Sequence, residues 1–243
     1  MRQRDGQVLW SLAVAVTCLC AASTVLAGNV EIPSIRDTTL IENAEGARSN
    51  GSGPHLFAGR NSQSSNSVRR VLLEFDVAGH VPPSSVITDV LVTLHMCQTN
   101  AGPETLSLHR VSAGWGEGAS STSGGIGAPS QPGDATWIHT YYDGGFWAHP
   151  GGDFIASSTS TVVDGPGFYT WGPTPDMIVD VQGWLDDPTS NHGWLLRGNE
   201  AASSTVKRFD SREHEDLVLR PWLRVEFLRV EEDEEGDDED DED

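Results

Sequence analysis

Hydrophobic and polar residues alternate with period two along much of this chain, and few segments show the 3.6-residue period of an amphipathic helix. From Arg69 to Val77, the residues Val71, Leu73, Phe75 and Val77 fall on one face and Arg70, Leu72, Glu74 and Asp76 on the other. That pattern predicts a half-buried strand. Val86 to Met96 repeats it through Val90, Val92, Leu94 and Met96, and the intervening Pro82-Pro83-Ser84-Ser85 reads as a turn. Leu106 to Val111 predicts a third strand, and Trp194 to Arg197, Thr205 to Phe209 and Leu219 to Val230 predict closing strands. One segment departs from the alternation. From Met177, the residues Ile178, Val181, Trp184 and Leu185 are spaced for one helical face, and Pro188 stops the element, so a short helix is expected.

Between Ser112 and Gly172 the chain is rich in Gly, Ser and Pro, with Trp115, Trp137, Trp147 and Trp171 scattered through it. These features read as long loops with short strands. Many short strands, abundant turn residues and one minor helix define the expected class: all-β, a jelly-roll β-sandwich with long Gly-rich loops and one short helix. No internal repeat is visible.

The ends differ from the middle. Arg2 and Arg4 precede an apolar run from Val8 to Ala22 and small residues up to Ala27-Gly28, so residues 1–27 read as a secretory signal peptide rather than a span. Residues 28–230 then form one sandwich domain, and residues 231–243 an acidic tail expected to be disordered. That tail is acidic at every position except Gly236 and supplies more than half of the net charge of -21. It reads as a solvating tail, with weak calcium buffering or contact to a basic partner as alternatives. The rest is still acidic, which excludes nucleic acid as a partner, because phosphate backbones require several Lys or Arg contacts. After the leader nothing is long and apolar enough to span a membrane, and Cys97 alone remains of the three cysteines, so no internal disulfide can form. A secreted protein, extracellular or held at the cell envelope, is expected. Its oligomeric state is not legible.

Catalytic patterns are sparse. The stretch His149-Pro150-Gly151-Gly152-Asp153-Phe154 resembles the GGDEF signature of nucleotide cyclases, but Phe154 stands where an acid is required and nothing else of that α/β enzyme is present. A tight turn, with Asp153 capping it, is the expectation. No HExxH, GxSxG, SxxK or P-loop spacing occurs, and the histidines are dispersed. Lone histidines such as His95 and His109 read as solvent-face or hydrogen-bonded residues, and Cys97 as a structural thiol. Asp186-Asp187 could join another acid for glycoside hydrolysis, but Asp-Asp-Pro after a helix also makes an ordinary turn. The chain is therefore expected not to be an enzyme. Flat aromatic rings stack on sugar faces, and Trp115, Trp147 and Trp171, set among glycines, are the candidates for that role, with core packing as the competing one. Asn50-Gly51-Ser52 is formally a glycosylation sequon.

The ordered motifs resemble a family. Asp37-Thr38-Thr39-Leu40-Ile41, Ser49-Asn50-Gly51-Ser52-Gly53, Leu56-Phe57-Ala58-Gly59, the Arg69 to Asp76 strand, Trp115-Gly116-Glu117-Gly118, Asp180-Val181-Gln182-Gly183-Trp184-Leu185, Asn191-His192-Gly193-Trp194, Phe209-Asp210-Ser211-Arg212-Glu213 and Pro221-Trp222-Leu223-Arg224-Val225 occur in an order similar to the DNRLRE domain. That family is related to the disaggregatase repeat and to alginate-binding carbohydrate modules. The resemblance covers about Asp37 to Phe227 and implies an exported jelly roll that binds polysaccharide or glycoconjugate without catalysis. It also implies a structural calcium, for which Asp37, Asn50 and Asp180 are the oxygen donors in plausible places. Arg212, together with Arg70, Arg110, Arg197, Arg208 and Arg220, could meet acidic sugars through bidentate hydrogen bonds. Internal pairs such as Arg70 with Glu213 are the alternative. A purely structural envelope domain without a sugar site is the competing function, and a polysaccharide-cleaving enzyme a more remote one.

Overall fold

The computed structural model describes residues 24–231. Residues 1–23 of the expected leader (1–27) and residues 232–243 of the expected acidic tail (231–243) lie outside the described residues. In chain order the strands are β1 (Thr24–Ile41), β2 (Arg48–Ser49), β3 (His55–Arg60), β4 (Val68–Phe75), β5 (Val86–Thr99), β6 (Glu104–Val111), β7 (Ala128–Pro129), β8 (His139–Tyr141), β9 (Gly145–Phe146), β10 (Phe154–Val163), β11 (Gly167–Trp171), β12 (Trp194–Arg197), β13 (Lys207–Asp210) and β14 (Trp222–Glu231), with helix α1 (Pro175–Asp186) between β11 and β12.

Ten of these strands form one continuous antiparallel sheet that folds over on itself as a sandwich. In one layer, β5 pairs on one side with β14 and β13 in succession and on the other side with β11. The second layer runs β1, β4, β12, β6, β10. β1 belongs to both layers. Its first half pairs with β14 from Thr24 opposite Glu231 to Pro33 opposite Trp222, and after an irregularity between Ser34 and Arg36 its second half pairs with β4. Residues 24–27, expected in the leader, are thus the outermost rungs of this ladder.

Between the layers lies the main core, to which Val71, Leu73, Phe75, Val90, Val92, Leu94, Met96, Leu106, Leu108, Phe209, Leu223 and Val225 contribute. These are the alternating positions of the expected strands, so the all-β sandwich follows directly from the period-two pattern. α1 closes one end of the sandwich through Met177, Val181, Trp184 and Leu185. Its first turn is set by Thr174, whose hydroxyl accepts from Met177 N, and by Pro175. An isolated helix of this length is marginal in water, whereas burying four such side chains contributes at most roughly 6–12 kcal/mol, so packing holds it.

One expectation needs correction. β4 is buried on both faces, not one. The loop region after Ser112 folds across the outer face of the second layer and forms a second apolar cluster of Leu40, Leu72, Val111, Trp115, Ala135, Trp147 and Leu195. Leu72, an apolar residue on the polar face of the β4 pattern, is the position that this cover requires. Among the described residues, no helix is long and apolar enough to cross a membrane.

Candidate functional site

Three segments far apart in sequence bring carboxylates together. Asp37 comes from β1, Glu117 from the loop flanked by Gly116 and Gly118, and Glu213 from the turn after β13. Gly118 has φ +72°, and a Cβ there would lie 1.7 Å from Asp134 Oδ1, so only glycine allows the loop to lie this close. One oxygen of each acid lies within 4.8 Å of the others. Arg212 grips Glu117 with both arms, Nε to Oε1 at 2.5 Å and Nη2 to Oε2 at 2.7 Å, while Asp37 N donates to Glu117 Oε1 at 2.9 Å. Asp37 Oδ2 accepts from Arg212 N at 2.8 Å.

The remaining oxygens are not satisfied. Asp37 is fully buried, and its Oδ1, like both oxygens of Glu213, is buried without a hydrogen bond. Arg212 Nε lies 3.1 Å from Glu213 Oε1, a charge contact whose angle does not make a hydrogen bond. Burial first, and then the neighbouring Glu213 and Glu117, hold the Asp37 carboxyl well above its ordinary value. Burial likewise raises Glu213. Three acids facing one guanidinium leave negative charge uncompensated where solvation is poor, and either protons or a cation must supply the balance. The donor set suits a hard cation. Calcium takes six to eight oxygens at about 2.3–2.6 Å, and an ion at that distance from three oxygens is compatible with their observed spread.

The expected ligands are not assembled as a set. Asp37 joins Glu117 and Glu213, whereas Asn50 and Asp180 are committed elsewhere. Asn50 organises its turn, donating to His55 O at 3.0 Å and accepting from Thr122 N at 2.8 Å. Asp180 is a buried clamp, accepting from Ser158 Oγ at 2.6 Å and Trp194 Nε1 at 2.9 Å, with Arg110 Nε at 3.5 Å. The candidate sugar-stacking tryptophans are also corrected. Trp115 and Trp171 are 0% exposed and Trp147 6%, and each indole N–H is spent on a carbonyl, those of His192, Leu106 and Thr136 respectively. No ring face is open to a sugar, because the glycines around them let the loops fold inward rather than project. Nor do the arginines form one cluster. Arg70 and Arg197 share Glu200, so the Arg70 partner is not Glu213, and Arg212 is held by the acids around it.

The surface offers another feature. A depression of about 450 Å³ is lined by His149, Pro150, Gly152, Asp153 and Phe154, with Arg70 at its wall. Gly151 and Gly152 have φ +91° and +100°, and Asp153 accepts from Ala148 N at 2.7 Å and His149 N at 2.9 Å. This is the tight, Asp-capped turn expected from the GGD stretch. The His149 side chain is 85% exposed, and the Arg70 guanidinium lies over the Trp137 and Phe154 rings, at 4.8 and 5.4 Å. Exposed aromatic surface lies on the β8–β9 hairpin, at Tyr141 and Phe146. His149, Tyr141 and Phe146 carry no sequence signal beyond their glycine-rich setting. Glu117 and Glu213 stand inside motifs already quoted, and only the fold shows that they meet. No protein-family model matches this chain, and no curated protein matches it.

Proposed function

We propose that this protein is a non-catalytic binding module of the cell exterior that takes polysaccharide or glycoconjugate in the depression beneath the His149–Phe154 turn. The observation that carries this reading is the composition of that depression: an aromatic ring at Phe154, an exposed imidazole at His149, and carboxylate and guanidinium groups already fixed by internal bonds. Sugar sites combine apolar ring faces with a few oriented polar groups in this way. The resemblance to DNRLRE domains points in the same direction. The carboxylate cluster is read as a structural cation site. Asp37 and the Glu213 oxygens are buried, so a sugar ring has no access to them, which favours a bound ion over glycoside hydrolysis.

Retention on a panel of neutral and acidic glycans, with and without calcium, tests this reading. His149→Ala is expected to weaken the retained glycan about tenfold, the loss of one good hydrogen bond, without lowering thermal stability. Retention of no glycan by the folded protein sinks the sugar site. A second reading, a structural envelope domain, is favoured by the burial of all three loop tryptophans, and it predicts that null result. Release of reducing ends or unsaturated products from uronate polymers would overturn the non-catalytic assignment.

A further inference from the structure

Alternation places a second set of metal-binding groups on the outer face of the other layer. On the three adjacent strands β3, β13 and β5, the residues Leu56, Phe209, Leu94 and Met96 point into the core. Their neighbours His55, Arg208, Asp210, His95 and Cys97 therefore share the opposite face. Register completes the grouping: Asp210 sits directly across from His55, and an irregularity between Arg208 and Phe209 adjusts β13 against β5.

Asp210 is the hub. Its Oδ2 is 2.6 Å from His95 Nδ1, and its Oδ1 is 3.3 Å from His55 Nδ1 and 3.9 Å from His214 Nε2. One ligand atom each from His55, Cys97 and Asp210 falls within a 4.8 Å span. The His55 Nδ1 atom is buried and has no hydrogen-bond partner, although a carboxylate oxygen faces it. Two groups that could be joined by a proton are thus left poorly aligned for one. An ion between them would satisfy both.

We propose that His55, Cys97 and Asp210 form a binding site for a borderline divalent transition ion of the zinc(II) type, its fourth position left to water or to His214, whose Nε2 lies 3.9 Å from Asp210 Oδ1. Imidazole nitrogen, thiolate sulfur and a single carboxylate are donors that such ions prefer and that calcium or magnesium does not. Oxygens or nitrogens at about 2.0–2.2 Å and sulfur at about 2.3 Å from a tetrahedral centre fit within the observed span. His95 keeps its bond to Oδ2 and orients the carboxylate from outside, while Arg208, whose Nε lies 3.2 Å from Cys97 Sγ, steadies the sulfur. The thiol proton leaves to solvent when the sulfur binds. The site is independent of the glycan reading and of the Asp37 cluster.

Cobalt(II) titration of the full chain, metal-free and reduced, tests it. The expected result is one ion per chain, with a thiolate-to-cobalt charge-transfer band, tetrahedral visible bands, displacement by zinc, and no displacement by excess calcium. Cys97→Ser removes the charge-transfer band, and His95→Gln, which alters the orienting partner, weakens binding about 10–100-fold. His55→Ala weakens it further. Thermal unfolding of each variant in chelator confirms that it is folded. Three results overturn the proposal: no charge-transfer band in the folded wild type, equal cobalt affinity in wild type and a His55→Ala, Cys97→Ser double variant, or stoichiometric displacement by calcium.

Discussion

Excess calcium is expected to raise the melting temperature at about pH 8 by roughly 5–11 °C, and to do progressively less as pH falls and protons compete for Asp37 and Glu213. The magnitude follows from linkage: a ligand at about a hundred times its dissociation constant stabilises by about 2.7 kcal/mol, and each kcal/mol moves a domain of this size by about 2–4 °C. The sign follows from Asp37 and Glu213. Both have folded-state pKa values raised above the ordinary 3.8 and 4.5, so the native state holds protons that the unfolded chain has released. Their contribution is complete below those ordinary values and is lost as pH rises through the raised ones. A cation substitutes for the lost protons and removes that penalty.

Other groups pull the opposite way in other windows. Burial outweighs other influences in holding His55, His109 and His139 below their ordinary 6.5, so they favour the folded state increasingly as pH rises toward that value. Burial opposes the ionisation of Glu200, but Arg70 and Arg197 hold it below its ordinary 4.5, and its stabilisation is lost only as pH falls through that lower range. The decisive readout is accordingly the difference between melting curves in calcium and in chelator, followed across pH. Parallel curves from pH 5 to 8 would exclude a cation at this cluster. Glu213→Gln sharpens the test: in chelator at about pH 8 it should be more stable than wild type, because one buried like charge is gone, and it should lose the calcium response. Calcium bound equally by folded and unfolded chains, at the acidic tail for instance, shifts neither.

The contrast between what the sequence discloses and what it hides has a physical basis. β4, β5, β6 and β14 were legible because each turns an alternating set of apolar residues to the core, which period two records locally, and β12 because it is a short apolar run. α1 was legible through its spacing and its Pro188 stop. β10 and β11 were not, because β10 runs through Ser157-Ser158-Thr159-Ser160-Thr161, which reads equally well as loop, and β11 is only the five residues Gly167 to Trp171. The tryptophans misled for a related reason. Glycines beside Trp115 suggest an exposed ring, yet the same glycines permit the close approach that buries it against Leu72 and Leu195. Neither candidate metal grouping could be read as a set. Asp37, Glu117 and Glu213 are about 80 and 100 positions apart, and only strand pairing and one loop crossing bring them together. The resemblance names Asp37 together with Asn50 and Asp180 as donors, whereas the fold sets Asp37 beside Glu117 and Glu213.

Replacing Lys207, the single lysine in the sequence, is expected to lower the melting temperature by roughly 6–12 °C, corresponding to about 3 kcal/mol. Its position contradicts the binary pattern. It precedes Arg208 on β13 and shares the inward face with Phe209, and it is fully buried. Such a charge persists only where its donors are matched, and here Nζ donates to Gly102 O at 2.7 Å, Asp164 O at 2.8 Å and Ala101 O at 3.3 Å. Those carbonyls belong to the β5–β6 and β10–β11 turns, so one ammonium ties two hairpin ends to the strand that also carries Asp210. Lys207→Ala removes the tie and leaves a cavity. Lys207→Met retains the hydrocarbon stem but leaves the carbonyls without their donor, and so should recover only a minor part of the loss. If Lys207→Met is as stable as wild type in thermal or denaturant unfolding, packing alone accounts for the position and the tie contributes nothing. If it falls with Lys207→Ala, the buried ammonium is what fixes this end of the sandwich, and β13 is held from its inner face while its outer face presents Asp210 between the histidines.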